Sequence, residues 1–204
     1  MYSPRIIAIS LLAIYSLILV LIELFTSQDY IRHYFTDISG PVFFYAVNTS
    51  LSVILFFGTA LVFCICLVMS GPMANPSQKQ IFYITQILLF VYLGLDDRFL
   101  IHDLVLPHFG INGDYILAVL AVVEGVVLLK LGKVLNENNA IRTYFLLAVL
   151  FSLFMFIADL FLPPELVLRL SMEDLSKTWS AFFLFLFAWA YFKKELNQIK
   201  SKMI

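Results

Sequence analysis

The residues best suited to chemistry crowd into one stretch, Leu95-Asp96-Asp97-Arg98-Phe99-Leu100-Ile101-His102-Asp103, with Pro107-His108 close behind. Carboxylates, a guanidinium and imidazoles at such close spacing can bind a divalent cation, hold an anionic head group or pass a proton. His102, Asp96, Asp103 and His108 form a candidate donor set for a divalent metal such as zinc, with His33 a further nitrogen, and such an ion would activate a water. No other cofactor is suggested, because G-x-S-x-G, P-loop, H-E-x-x-H and Cys-x-x-Cys-His patterns are all absent from the sequence.

The elements that must position these groups are membrane helices. The 204 residues are 62% hydrophobic and 13% charged, with a mean hydropathy of +0.95. A soluble domain needs about a quarter of its residues charged, so the composition predicts an all-α polytopic membrane protein. A net charge of −1 leaves no basic field for nucleic acid, and that class of partner is excluded. Cys64 and Cys66 fall inside an apolar run and point about 160° apart on a helix, so they read as buried free thiols.

Apolar runs bounded by turn formers predict six spans in one membrane domain over 1–204, at about 5–25, 41–69, 80–105, 114–132, 141–162 and 172–192, with a basic tail at 193–204. Pro41 is expected to open the second span and Pro163-Pro164 to stop the fifth. The first run is too long for a signal-peptide core and reads as an uncleaved span. Arg5, Lys79, Lys130, Lys133, Arg142, Lys193, Lys194, Lys200 and Lys202 fall on one side, against Arg32, Arg98, Arg169 and Lys177 on the other. This asymmetry predicts that both termini are cytoplasmic.

Most of the acidic residues lie toward the outer side. Asp96 and Asp97 are expected about 22–24 Å up the third helix, near the level of Glu23 on the first. Asp159 lies just before the Pro163 stop, and Glu173 and Asp174 open the sixth span. Carboxylates from four helices are therefore expected at one level, facing inward because an ionised group toward lipid is costly. Along the third helix Thr85, Tyr92, Asp96, Phe99 and Asp103 share a face within about 60°, whereas His102 pairs with Arg98 on another.

The constellation read as catalytic is therefore Asp96, Asp97, His102, Asp103, Glu173 and Asp174, supported by Arg98, Asp159, Glu124, Lys177 and Glu23. Plainer roles stand beside it. Ser171 to Asp174 resembles a capping box, Lys177 is spaced to pair with Glu173, and Arg98 can neutralise Asp97. Glu124, with Ala121 and Gly125 as a small-residue packing face, is expected to point at a neighbouring helix, either as a packing residue or as a proton carrier. Asn48-Thr49-Ser50 reads as a chance glycosylation match inside a span, with Asn48 and Ser52 available for hydrogen bonds between helices.

The run from Leu95 to Asp103 resembles an L-D-E-x-x-x-I-H-E signature of uncharacterised bacterial multi-pass membrane proteins, with Asp standing for Glu. Met172-Glu173-Asp174-Leu175 resembles their second acidic pair. The resemblance implies one constellation of Asp96, Asp97, His102, Asp103, Glu173 and Asp174 in a bacterial cytoplasmic (inner) membrane, and implies no known activity. The chain is also similar, by analogy, to ceramidase-like membrane hydrolases, which hold zinc among helices on His and Asp; it lacks their closely spaced terminal histidine pair and seventh span.

Three functions follow as expectations. The first is a metal-assisted hydrolase or transferase acting on a membrane lipid or lipid-linked group. In it Arg98 and Lys177 hold an anionic head. The second is a non-catalytic accessory or assembly subunit docking a membrane protein partner. The third is a proton- or cation-coupled carrier relaying through Glu124.

Overall fold

The computed structural model describes residues 4–36, 42, 44–72, 76–101, 106–110, 113–163 and 165–203. Among these the secondary structure is helical throughout: α1 Pro4–Phe25, α2 Gln28–Phe35, α3 Val47–Met69, α4 Gln78–Phe99, the single turn α5 Leu106–His108, α6 Gly113–Val126, α7 Asn139–Phe161 and α8 Arg169–Met203. A π-helical turn, Val127–Leu131, and a 3₁₀ turn, Val134–Asn136, join α6 to α7. Among the described residues three helices are long and apolar enough to cross a membrane: Pro4–Phe25, Val47–Met69 and Asn139–Phe161.

The chain forms two compact units, one from 1–51 and 148–180, the other from 52–147 and 181–204. In the first, α1 buries Leu12, Leu19 and Glu23. Their spacing of seven and four residues puts them in one line down a helix, so the same stripe that packs α1 also aims Glu23 inward. The short α2 starts at Ser27, whose side chain accepts from the Tyr30 backbone N–H at 3.2 Å. It buries Ile31 and Phe35 against Leu19 and Leu175. The segment falls between the first two predicted spans, yet its helix is marked by the Ser27 cap and by Ile31 and Phe35, four residues apart on one apolar face.

The second unit is built on aromatic packing. Phe63 of α3 stacks on Phe90 of α4, with centroids 6.1 Å apart. It also meets Phe187 and Tyr191 of α8 at 6.1 and 6.0 Å. Offset and edge-on arrangements of this kind add to the area they bury. α4 opens with a reciprocal capping box: Gln80 N–H donates to Ser77 Oγ at 3.3 Å and Ser77 N–H to Gln80 Oε1 at 2.8 Å. The amide of Gln80 also ties down the preceding turn through the carbonyls of Gly71 and Pro72.

Several predicted boundaries move. The third helix was expected to run to about 105, but α4 ends at Phe99 and Leu100 takes a left-handed conformation, φ 50°. No glycine or proline marks that stop. α3 begins at Val47 rather than at Pro41. α8 begins at Arg169, after a left-handed Leu168 (φ 71°), and continues through the charged tail to Met203. Among the described residues the Ala121–Gly125 face of α6 packs against nothing: Ala121 is exposed and nothing lies within 4 Å of a Cβ built on Gly125. The close approach is instead at Gly132, where a Cβ would meet the Phe82 ring at 2.7 Å.

Candidate functional site

In the first unit the acidic residues are spent on holding helices. Glu23, 3% exposed, accepts from the Leu168 backbone N–H at 3.0 Å and the Ser171 N–H at 3.2 Å. The Ser171 hydroxyl donates to it as well. Leu168 and Ser171 sit at the opening of α8, where backbone donors have no partner within the helix. A carboxylate from α1 thus caps α8 from outside its own sequence, and its charge suits the positive end of the helix dipole. The expected capping box at Ser171 is overturned, since Ser171 lies inside the helix and donates to Glu23.

Asn48 is the second knot. Fully buried, it donates Nδ2–H to the Asp174 carbonyl at 3.0 Å. Its Oδ1 accepts from the Thr178 hydroxyl at 2.9 Å and from the Tyr15 hydroxyl at 3.4 Å. One side chain therefore joins α1, α3 and α8, which is the interhelical role its place in an apolar run suggested. Around the α8 opening, Arg169 bridges Asp159 at 3.0 Å and Glu173 at 3.4 Å. Lys177 pairs with Asp174 at 3.3 Å, one residue along from its expected partner Glu173.

In the second unit α4 carries the rest of the polar set. Asp97 accepts from the Ser52 hydroxyl of α3. Asp96 is 4% exposed and also has a partner, as does Arg98. The Tyr92 hydroxyl, one turn before Asp96, is buried without a hydrogen-bond partner among the described residues. Lower on the same helix, Gln86 donates to Glu124 Oε1 at 2.6 Å, so Glu124 does face a neighbouring helix. Near the α4 start, Glu195 of α8 accepts from Lys79 at 2.6 Å and from the Tyr83 hydroxyl at 2.8 Å.

The predicted constellation divides accordingly: Glu23, Asp159, Glu173, Asp174 and Lys177 belong to the first unit, and Asp96, Asp97, Arg98 and Glu124 to the second. His102 and Asp103 lie outside the described residues. His108 is exposed on its one-turn helix. Among the described residues no group of three or more His, Cys, Asp or Glu is placed to hold a metal ion. The helix stop at Leu100 also means that the shared face of Asp96 and Asp103 cannot be extrapolated along α4. Sequence reasoning missed Glu195, Tyr83 and Thr178: Glu195 stands among the charges of the tail, and Tyr83 and Thr178 show only polarity inside apolar helices.

The class defined by this fold is an all-α protein with helices able to cross a membrane and with two buried acids, Glu23 and Glu195, tied to helix–helix contacts. The chain belongs to the family described as Domain of unknown function (DUF8692), whose model matches residues 6–191. No curated protein and no solved structure matches it.

Proposed function

We propose that this protein is an integral membrane protein of six spans, with both termini cytoplasmic, that serves a membrane complex as a non-catalytic accessory or assembly subunit. The observation that carries this reading is the commitment of its ionisable groups. Glu23, Asp159, Glu173, Asp174, Asp97 and Glu195 all have side-chain oxygens in hydrogen bonds or ion pairs with neighbouring elements of the chain or with their own helix. A hydrolytic site needs acids and bases left available to substrate, whereas a scaffold uses them to fix one packing. The positive charge on one side supports the topology, and the bacterial cytoplasmic membrane is the setting that this topology and the resemblance at Leu95–Asp103 suggest.

A metal-assisted hydrolase or transferase on a lipid-linked substrate is the second reading. It is favoured by buried Asp96, one turn from a Tyr92 hydroxyl that has no hydrogen-bond partner among the described residues. One experiment separates the two. The protein is purified from its native membrane in mild detergent, with Asp96→Asn and His102→Ala variants alongside. A partner subunit at fixed stoichiometry, and no bound metal in any of the three, is the expected result. Stoichiometric zinc in the parent that is lost from both variants would overturn the accessory reading in favour of the enzyme.

A further inference from the structure

Glu124 and Gln86 differ from the other polar pairs in that their hydrogen bonding does not balance. Gln86 is fully buried. Its Nε2–H donates to Glu124 Oε1 at 2.6 Å, while its own Oε1 is buried with no hydrogen-bond partner among the described residues. An ionised carboxylate offers only acceptors, so it cannot supply the donor that the amide oxygen lacks. A neutral carboxylic acid can. Turning the amide over leads to the same requirement, since two oxygens at that separation need a proton between them.

We propose that Glu124 is a proton-binding site, carrying a proton on Oε2 that is donated to Gln86 Oε1 and closes a cyclic acid–amide pair between α6 and α4. Each partner then offers one donor and one acceptor to the other, and both Gln86 atoms are satisfied. The ligand is the proton itself, and the pair needs no partner subunit to hold it.

The backbone keeps the two side chains in register. The π turn begins three residues after Glu124, and its wide hydrogen bond runs from Gly132 N–H to the Val127 carbonyl at 3.0 Å. An inserted residue of this kind turns the helix face by about 100°, and such turns recur at functional positions. Here it buries Val127 and Leu128. Phe82 and Gln86 lie one turn apart on α4, so the segment is held at Gly132 by the Phe82 ring and at Glu124 by Gln86.

No cation among the described residues pairs with Glu124. On α4 the nearest charges along the chain are Lys79, already bound to Glu195, and Asp96, about 15 Å from Gln86 along the axis. On the π turn the Lys130 side chain is exposed, and its carbonyl accepts from Gln78. A charge on Glu124 would therefore stand uncompensated inside apolar helices, which is costly.

Difference infrared spectra of the full chain in lipid vesicles at pH 7, parent against Glu124→Gln, test this directly. The expected result is a neutral-carboxyl carbonyl band in the parent that is missing from the variant. That band should shift to higher wavenumber in Gln86→Leu, where the acid loses its acceptor. Carboxylate stretches assigned to Glu124, with no neutral band, would overturn the proposal. A second measurement uses the parent alone, treated with a lipid-soluble carbodiimide, which attacks protonated carboxyls. Glu124 is half-buried beside exposed Val122 and Val123, so the reagent has access. An adduct mapped to Glu124 is expected, and adducts confined to other acids would sink the idea.

Discussion

Glu23 and Glu124 are both acids set deep in apolar helices, and the protein treats them in opposite ways. Glu23 meets two backbone N–H groups and a hydroxyl, all donors, so its surroundings are complementary to a carboxylate. Glu124 meets one amide that offers a donor and leaves an acceptor waiting, so its surroundings are complementary to an acid. The contrast teaches that burial alone does not decide what a membrane carboxyl is for. The donor count around it does, and that count comes from partners far away in the chain.

The comparison breaks most sharply at Glu23→Ala. Three donors would lose their shared acceptor inside the protein, and the expected loss of stability is about 3–5 kcal/mol, measured by unfolding in mixed detergent. Next come the paired amide substitutions. Glu23→Gln places an NH₂ group against N–H donors and is expected to cost about 2 kcal/mol. Glu124→Gln keeps a donor and an acceptor toward Gln86 and should change stability by less than about 0.5 kcal/mol. If the two amides cost the same, the distinction between the sites is wrong.

Smaller effects sharpen the surroundings of each. Gly132→Ala drives a Cβ to 2.7 Å from Phe82, which should cost about 1–3 kcal/mol through overpacking. A compensating Phe82→Leu should recover part of that loss if the close approach is the cause. Asp159→Asn removes the exposed partner of Arg169, with Asp159 54% exposed. Its expected cost is under about 1 kcal/mol and should shrink further at high salt, because surface ion pairs are screened.

How much of this was legible in the sequence depended on the range of the interaction. The apolar runs gave the positions of α1, α3 and α7 to within a few residues at most boundaries, because hydropathy is a local property. Asn48 stood out as a polar residue with nowhere to go but another helix. Its partners Thr178 and Tyr15, at sequence separations of 130 and 33, could not be read from its neighbours. The stop of α4 at Leu100 is invisible in the sequence because nothing in a leucine favours a left-handed backbone. The start of α8 was misplaced for a related reason: Ser171 looked like a cap by its own chemistry, but the acceptor comes from Glu23. The π turn after Glu124 also left no mark, since one inserted residue in a continuous apolar run does not change the pattern of residue types.

The cap that Glu23 lends to α8 also has a consequence in time. The two groups it joins stand 145 and 148 residues downstream. At typical synthesis rates of about 5–20 residues per second, about 7–30 seconds pass between the emergence of the acid and that of its donors. Throughout that interval the Glu23 carboxyl lacks the donors that satisfy it in the folded chain. The nascent chain therefore carries an acid in α1 without its native donors until α8 is made, and the bonds that then form tie the opening of α8 to α1.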